Sequence, residues 1–256
     1  MSNIYLYHDD AFKIMPQLPK ESFDVIFVDP PYFLSNDGFT CQNGEKVLVN
    51  KGEWDKSLGF EQNILFHETW IKQAYRLLKP TGTLFVTGTY HSIYICGFLF
   101  LKLGWHILND ICWFKPNASP NLSGRMLTAS HETILWVKKH KKAKHFFNYE
   151  LMKEMSFPND NLKKEQQQMR SVWSIAAVSK KEKQYGYHPT QKPLALLGRI
   201  ILASTDENHT VLDPFMGSGT AGVICKKYNR SFYGIEKEDN FFQIAEQRIS
   251  QTKGIL

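Results

Sequence analysis

The chain has 256 residues, 43% of them hydrophobic and 14% aromatic. That is enough apolar material for one large domain, and it excludes a disordered or fibrous chain. Its 31 Lys and Arg exceed its 25 Asp and Glu by six, and residues 138–185 alone hold twelve basic and five acidic residues. A near-neutral body with one basic segment predicts a polyanionic partner held at one place. No apolar run reaches membrane-spanning length, since the strongest, 93–103, is interrupted by Gly97 and Lys102. The first ten residues carry neither a basic region nor a cleavage site. The four cysteines, Cys41, Cys96, Cys112 and Cys225, form no CxxC pair. This argues against a disulfide framework or zinc site, makes a reducing cytoplasm the default location, and leaves no metal expected.

In chain order, residues 23–28 read as a short β-branched strand that must stop at Asp29-Pro30-Pro31, because consecutive prolines continue neither ladder nor helix. Residues 36–55 are polar and Gly-dotted, a loop directly after that strand. Helical spacing runs over 60–78, with Pro80 as its stop, and over 91–103, with Gly104 as its stop. Residues 83–87, 111–114 and 133–137 read as strands. Residues 146–187 are rich in Lys, Gln and Asn with little period until Val172, and about 138–187 reads as a basic recognition segment inserted into or appended to the body. Then come a helix at 194–203, a strand at 210–213, a helix at 221–227, a strand at 231–236 and a helix at 241–249. Strands alternating with helices predict a single α/β domain over 1–256 with a mostly parallel sheet.

Two motifs carry chemistry. Val211-Leu-Asp213-Pro214-Phe215-Met-Gly217-Ser218-Gly219-Thr220 is a strand, a glycine turn and a helix start. Gly217 and Gly219 allow positive φ and close approach of a ligand, and Thr220 can cap the helix. Glu236 ends the next strand, where a carboxylate can accept both hydroxyls of a ribose. Asp213-Pro214-Phe215 before the glycines departs from the dinucleotide fingerprint, so a nucleoside ligand without pyrophosphate fits better.

Asp29-Pro30-Pro31-Tyr32 is the sharper signal. The lone pair of an aromatic amine such as adenine N6 is delocalised into the ring. The Asp29 carboxylate and the Pro30 carbonyl can each accept one of its N–H bonds and return electron density to nitrogen. Tyr32 offers a flat face on which an extruded base can stack. No Pro-Cys motif is present, so cytosine-C5 chemistry lacks its nucleophile.

These motifs, catalytic before cofactor, resemble those of the β class of amino-methylating DNA methyltransferases, and His188-Pro-Thr190-Gln-Lys192-Pro is a third match. The resemblance covers the chain outside 146–187. It implies a Rossmann-like S-adenosylmethionine-dependent methyltransferase fold, circularly permuted, with a twisted, mostly parallel sheet and helices on both faces. It implies S-adenosylmethionine as cofactor, DNA as substrate and direct transfer to adenine N6. Catalytic residues then fall at Asp29, Pro30, Pro31 and Tyr32. Cofactor contacts fall at Asp10 and Ala11 in the adenine pocket, at Asp29, and at His188, Thr190 and Lys192, where the helix start and Lys192 would receive the methionine carboxylate. The rest fall at Asp213, Pro214, Phe215, Gly217, Ser218, Gly219, Thr220 and Glu236. Asp9 and Phe33 depart from the residues frequent there, Gly and Asn.

Residues 34–38 and 50–55 resemble those of DpnA-type enzymes of type II restriction-modification systems, which modify adenine in GATC. That likeness implies a restriction endonuclease counterpart, and family likeness favours a homodimer. It leaves open activity on single-stranded as well as duplex DNA. A target base inside a duplex must flip out. The 36–55 loop, with Lys51 and Trp54, is placed to close over it. Arg125 and the run Lys138, Lys139, Lys141 and Lys142 would meet phosphates, and His131 or Arg170 base edges. The rival readings are a cytosine-N4 methyltransferase, which Ser in place of Asp29 would have favoured, and a cofactor- and DNA-binding regulator without turnover.

Overall fold

The computed structural model describes residues 3–35, 39–42, 45–48, 51–57, 59–157, 159, 160, 162, 164 and 166–254. The elements are β1 (Ile4–His8), α1 (Ala11–Ile14), β2 (Phe23–Val28), β3 (Phe39–Gln42), β4 (Glu45–Leu48), α2 (Phe60–Leu77), β5 (Leu78–Gly88), α3 (Ile93–Lys102) and β6 (His106–Phe114). They continue with β7 (His131–Lys138), α4 (Tyr149–Glu154), β8 (Val172–Ser174), α5 (Leu194–Ser204), β9 (Thr210–Asp213), α6 (Thr220–Lys227), β10 (Ser231–Glu236) and α7 (Asp239–Ser250).

Eight strands form one sheet in the order β1-β10-β9-β2-β5-β7-β6-β8. Every pair is parallel except β5 with β7 and β6 with β7, as the alternation of strands and helices predicts. The central strands are continuous apolar runs because both faces are covered. Along β2, Phe23, Ile26 and Val28 join the core beneath α2 and α3, while Val25 and Phe27 join the core beneath α5, α6 and α7. No helix among the described residues is long and apolar enough to cross a membrane.

Connections through α2 lead from β2 toward β5, and connections through α6 lead from β9 toward β10, in opposite directions. The sheet's switch point therefore lies between β2 and β9. Ligands of open α/β sheets bind in the crevice outside the strand carboxyl ends at that point. Asp29 and Asp213 stand at those two ends.

Several expected boundaries move. Pro80 does not follow the helix at a distance; β5 begins at Leu78 directly after α2, and its register against β2 jumps from Phe23↔Leu78 to Val25↔Thr83. The bulge accommodates a proline that an unbroken ladder would exclude. Of the 36–55 loop, residues 36–38, 43, 44, 49 and 50 lie outside the described residues. The rest contains the antiparallel β3–β4 hairpin and a short 3-10 turn at Glu53–Asp55.

The basic segment is built into the body rather than appended to it. Val172–Ser174 adds an edge strand beside β6. Arg199 of α5 pairs with Asp160 at 2.8 Å and lies over the rings of Phe157 and Trp173.

Candidate active site

The predicted cofactor residues converge. Asp10, Ala11, Asp29, His188, Thr190, Lys192, Asp213, Pro214, Phe215, Gly217, Ser218, Thr220 and Glu236 all line one cavity of about 900 Å³, counting its open mouth. Gly219 stands behind it, at φ +72, where a Cβ would lie 2.8 Å from that of Ala245. Gly217, at φ +50, brings the turn against His188, whose Nε2 a Cβ would meet at 2.9 Å. Only glycine tolerates both the backbone angle and the approach. Thr220 is not the helix cap; Gly219 holds that position. The Thr220 hydroxyl instead donates to the Lys192 carbonyl at 3.1 Å and accepts from Arg248 at 3.0 Å. Arg248, which the sequence did not single out, reaches from α7 to hold the Ser218 carbonyl and hydroxyl as well.

Glu236 accepts the Gly217 N–H on one oxygen at 2.9 Å and the Glu238 N–H on the other at 2.8 Å. The carboxylate lines the cavity, and a carboxylate there suits a vicinal diol. Burial pushes its carboxyl above the ordinary value. Burial does the same more strongly to Asp213, which accepts the Phe215 N–H at 3.2 Å. Asp10 caps α1 by accepting the Phe12 N–H at 2.7 Å. Phe12, Phe66 and Phe215 pack ring against ring at one end of the cavity. His188 is pushed down to about 3 by burial, then by Lys192, so it is neutral.

Two buried polar atoms on the cavity wall, Trp54 Nε1 and Gln191 Oε1, have no hydrogen-bond partner among the described residues. A buried donor and a buried acceptor without partners fit a ligand carrying both polar types.

A second, smaller cavity adjoins the first, lined by Asp29, Pro30, Tyr32, Lys51, Trp54, Asp55 and Thr190. Asp29, Trp54 and Thr190 wall both. Trp54 lies over His188 with ring centroids 6.3 Å apart, so it closes the larger cavity as well as the smaller. Lys51 Nζ lies 5.7 Å from the Tyr32 ring centre, and burial pushes its ammonium below the usual lysine value.

Asp29 accepts from three side chains. Its Oδ1 accepts from the Thr87 hydroxyl at 2.5 Å and the Tyr32 hydroxyl at 2.8 Å, and its Oδ2 accepts from Lys192 Nζ at 2.6 Å. Lys192 thus faces Asp29, whereas the sequence placed it at a ligand carboxylate. Burial pushes the Lys192 ammonium down, but Asp29 and Glu132 outweigh it and hold it above the ordinary lysine value. Tyr32 is buried at 6% exposure. Its hydroxyl also lies 3.0 Å from Glu132 and 3.2 Å from Thr87.

Asp55 is the residue that sequence reasoning most clearly missed as a site component. Its carboxylate accepts the N–H groups of Tyr32, Phe33 and Leu34 at 3.0, 2.9 and 3.2 Å and the Ser35 hydroxyl at 2.9 Å. One side chain thereby fixes the loop that follows the two prolines, including Phe33 at φ +58.

The predicted DNA residues divide. Arg125 and His131 are exposed and sit on the connection from β6 to β7 and its end, at the same edge of the sheet as Asp29. Arg170 is exposed beside β8. The lysine run is elsewhere. β7 runs antiparallel, so Lys138 pairs with Thr83, four residues before Thr87, about 13 Å down the sheet from the site. Lys138 is buried with its ammonium on the Ala143 carbonyl at 2.9 Å, and Lys139 is buried against Glu21 and the Tyr75 ring. Lys141 and Lys142 are exposed at that far end. The run assigned to phosphates therefore lies away from the Asp29 end of the sheet: charge counted along a chain does not tell which end of a strand carries it.

The family model described as DNA methylase matches residues 23–247. The type II methyltransferase M2.LlaDCHI of Lactococcus lactis subsp. cremoris is 48% identical over 250 residues, 97% of this chain and 90% of the relative. The chain belongs to the DNA methylase family. M2.DpnII of Streptococcus pneumoniae is likewise 48% identical, over 97% of this chain and 90% of its own. Among solved structures, the complex of M1.HpyAVI with SAM superposes with a TM-score of 0.67 at 28% identity, covering 96% of this chain and 98% of that one. The methylase is accordingly an enzyme, and its α/β sheet is the fold of these methyltransferases.

Proposed function

We infer that this methylase transfers a methyl group from S-adenosylmethionine to the N6 amine of adenine in DNA. The observation that carries the reading is the position of Asp29, which lines both cavities. The larger one suits the cofactor: the Glu236 oxygens for a ribose, the three phenylalanines for its base, and the unpartnered Gln191 and Trp54 atoms for an amino-acid end. The structure of M1.HpyAVI in complex with SAM supports the same cofactor.

When bound, S-adenosylmethionine supplies an electrophilic methyl group on a cationic sulfur. The chain supplies position and polarisation. Asp29 and the Pro30 carbonyl accept the two N–H bonds of the amine, raising electron density on nitrogen and aiming its lone pair across the shared wall. Thr87 and Lys192 hold the carboxylate in place. Asp55 fixes the loop carrying Tyr32. Positioning of this kind supplies several kcal/mol of the barrier. Asp at position 29, where Ser would have favoured cytosine N4, supports adenine as the target base.

The site GATC follows from the likeness of residues 34–38 and 50–55 to DpnA-type enzymes and from the M2.DpnII relative. DNA would approach along the edge that carries Arg125 and His131. A restriction endonuclease of the same system is the corresponding partner. The exposed stripe Tyr94, Phe98 and Leu101 on α3 supports a homodimer, to be checked by light scattering. The test of the reaction is transfer from labelled S-adenosylmethionine to DNA with and without prior methylation of GATC. Transfer that the prior methylation blocks supports reaction and site together. Transfer that persists removes the site, and N4-methylcytosine as product removes the base.

A further inference from the structure

The Tyr32 hydroxyl stands between two carboxylates, and only one of them is needed to polarise an amine. Glu132, the second residue of β7, has a side chain 11% exposed. Its Oε2 lies 3.0 Å from the Tyr32 oxygen and 3.8 Å from Lys192 Nζ, and its Oε1 accepts from Lys115 Nζ at 3.0 Å. Lys115 is itself fixed, since its N–H donates to the Ser130 carbonyl at 2.7 Å and closes the base of the excursion between β6 and β7.

The second carboxylate offers the Tyr32 hydroxyl hydrogen another acceptor. A phenol has one hydrogen to give, and a carboxylate oxygen has two lone pairs. With the Thr87 and Tyr32 hydroxyls both donating to it, Asp29 Oδ1 is full, and Oδ2 carries the Lys192 ammonium. Oδ2 keeps one lone pair, but it lies with Lys192, which lines only the larger cavity, whereas Oδ1 lies with Tyr32, which lines only the smaller one. An amine entering the smaller cavity therefore needs room on Oδ1, and finds it only when one donor leaves. Thr87 has no second acceptor as close. Tyr32 has one: a turn of its hydroxyl hydrogen moves the bond to Glu132 at almost the same distance. Burial pushes the Glu132 carboxyl up, but Lys192 and Lys115 outweigh it and hold it below its ordinary value, so at neutral pH it is an ionised acceptor.

We propose that Glu132 is a positioning residue for methyl transfer: it takes the Tyr32 hydroxyl hydrogen when the target base enters and so frees Asp29 Oδ1 for the amine. Lys115 serves the same end by holding Glu132 with Oε2 toward Tyr32. This rests on Asp29 as the acceptor of the amine.

The test is a double-mutant cycle between Glu132 and Tyr32. In Glu132→Gln the amide carbonyl must face Lys115, which only donates, so the amide NH2 faces the Tyr32 oxygen and the phenol hydrogen stays on Asp29. Turnover should fall on the order of 10- to 100-fold, with the KM for DNA and the affinity for S-adenosylmethionine close to wild type. In a Tyr32→Phe background there is no phenol hydrogen to misplace, and Glu132→Gln should then cost less than about threefold. A purely structural role would cost the same in both backgrounds. Glu132→Asp, which keeps the charge for Lys115 but withdraws it from Tyr32, provides the same comparison should the amide variant not fold. Equal losses in the two backgrounds, or wild-type turnover in both Glu132 variants, overturn the proposal. A wild-type chain that transfers no methyl group refutes the reading of the site beneath it, a failure seen before any variant is made.

Discussion

Asp55→Asn tests how much of the active site is held by one buried carboxylate. Asp55 is 1% exposed and accepts three backbone N–H groups and one hydroxyl. An asparagine that keeps its carbonyl toward Tyr32 and Phe33 must turn its NH2 toward the Leu34 N–H and the Ser35 hydroxyl. Leu34 then loses its acceptor, at a cost of about 1–3 kcal/mol for a buried donor. The two remaining bonds lose charge assistance, about 1 kcal/mol each, since ionised acceptors bind roughly twice as strongly. Phe33 is already in the left-handed region, which itself costs about 1–2 kcal/mol and relaxes once the clamp weakens. The total, about 3–5 kcal/mol, exceeds what holds a surface loop in one conformation. Turnover should fall by about 100-fold, the usual cost of misplacing a reacting group by an ångström. Asp55 lines only the smaller cavity, so S-adenosylmethionine affinity by calorimetry should stay within about threefold, below the level of a lost hydrogen bond. Single-turnover methylation measures the chemical step. A variant with wild-type single-turnover rate would refute the clamp, and a parallel loss of cofactor binding would move Asp55 to a general structural role.

Other predictions follow from the same geometry. Gly217→Ala places a Cβ 2.9 Å from His188 Nε2 at φ +50 and should weaken cofactor binding at least about tenfold, given about 1–2 kcal/mol of backbone strain; an unchanged calorimetric dissociation constant would contradict it. Arg125→Ala should weaken DNA binding and reduce the slope of log K against log salt by about one. Lys141→Ala with Lys142→Ala should change neither, because both lie at the far end of the sheet. Acid should destabilise the fold through His67, whose imidazole burial pushes down to about 4 from 6.5. Both states are neutral above pH 6.5. Below it the unfolded chain takes the proton first, so stability is lost between pH 6.5 and 4, about 3 kcal/mol in all. Urea midpoints across that range for wild type and His67→Gln should converge toward the acid end.

The placement of the candidate site was legible where it lies within a few consecutive residues. Asp29 to Tyr32, Asp213 to Thr220 and Glu236 could be read because a strand end, a proline or glycine turn and a carboxylate each announce their geometry locally. Asp55, Thr87, Lys115, Glu132 and Arg248 could not, because each acts across the sheet on a residue far away in the chain. Glu132 carried one faint sign, a carboxylate opening the apolar run Ile134-Leu-Trp-Val137. The first strand, Ile4–His8, was missed because it is short, lies at the sheet edge and is only half-buried. The place of the basic run was not legible, for a topological reason. Its position depends on β7 running antiparallel, which periodicity does not reveal.

The most direct test of the account is the modified nucleoside itself, identified by mass spectrometry after incubation of unmethylated DNA with S-adenosylmethionine and either wild type or Asp29→Ala. The account predicts N6-methyladenine with wild type and none with Asp29→Ala, although that variant still binds the cofactor. N6-methyladenine formed by Asp29→Ala at a near-normal rate, or N4-methylcytosine from wild type, would contradict it.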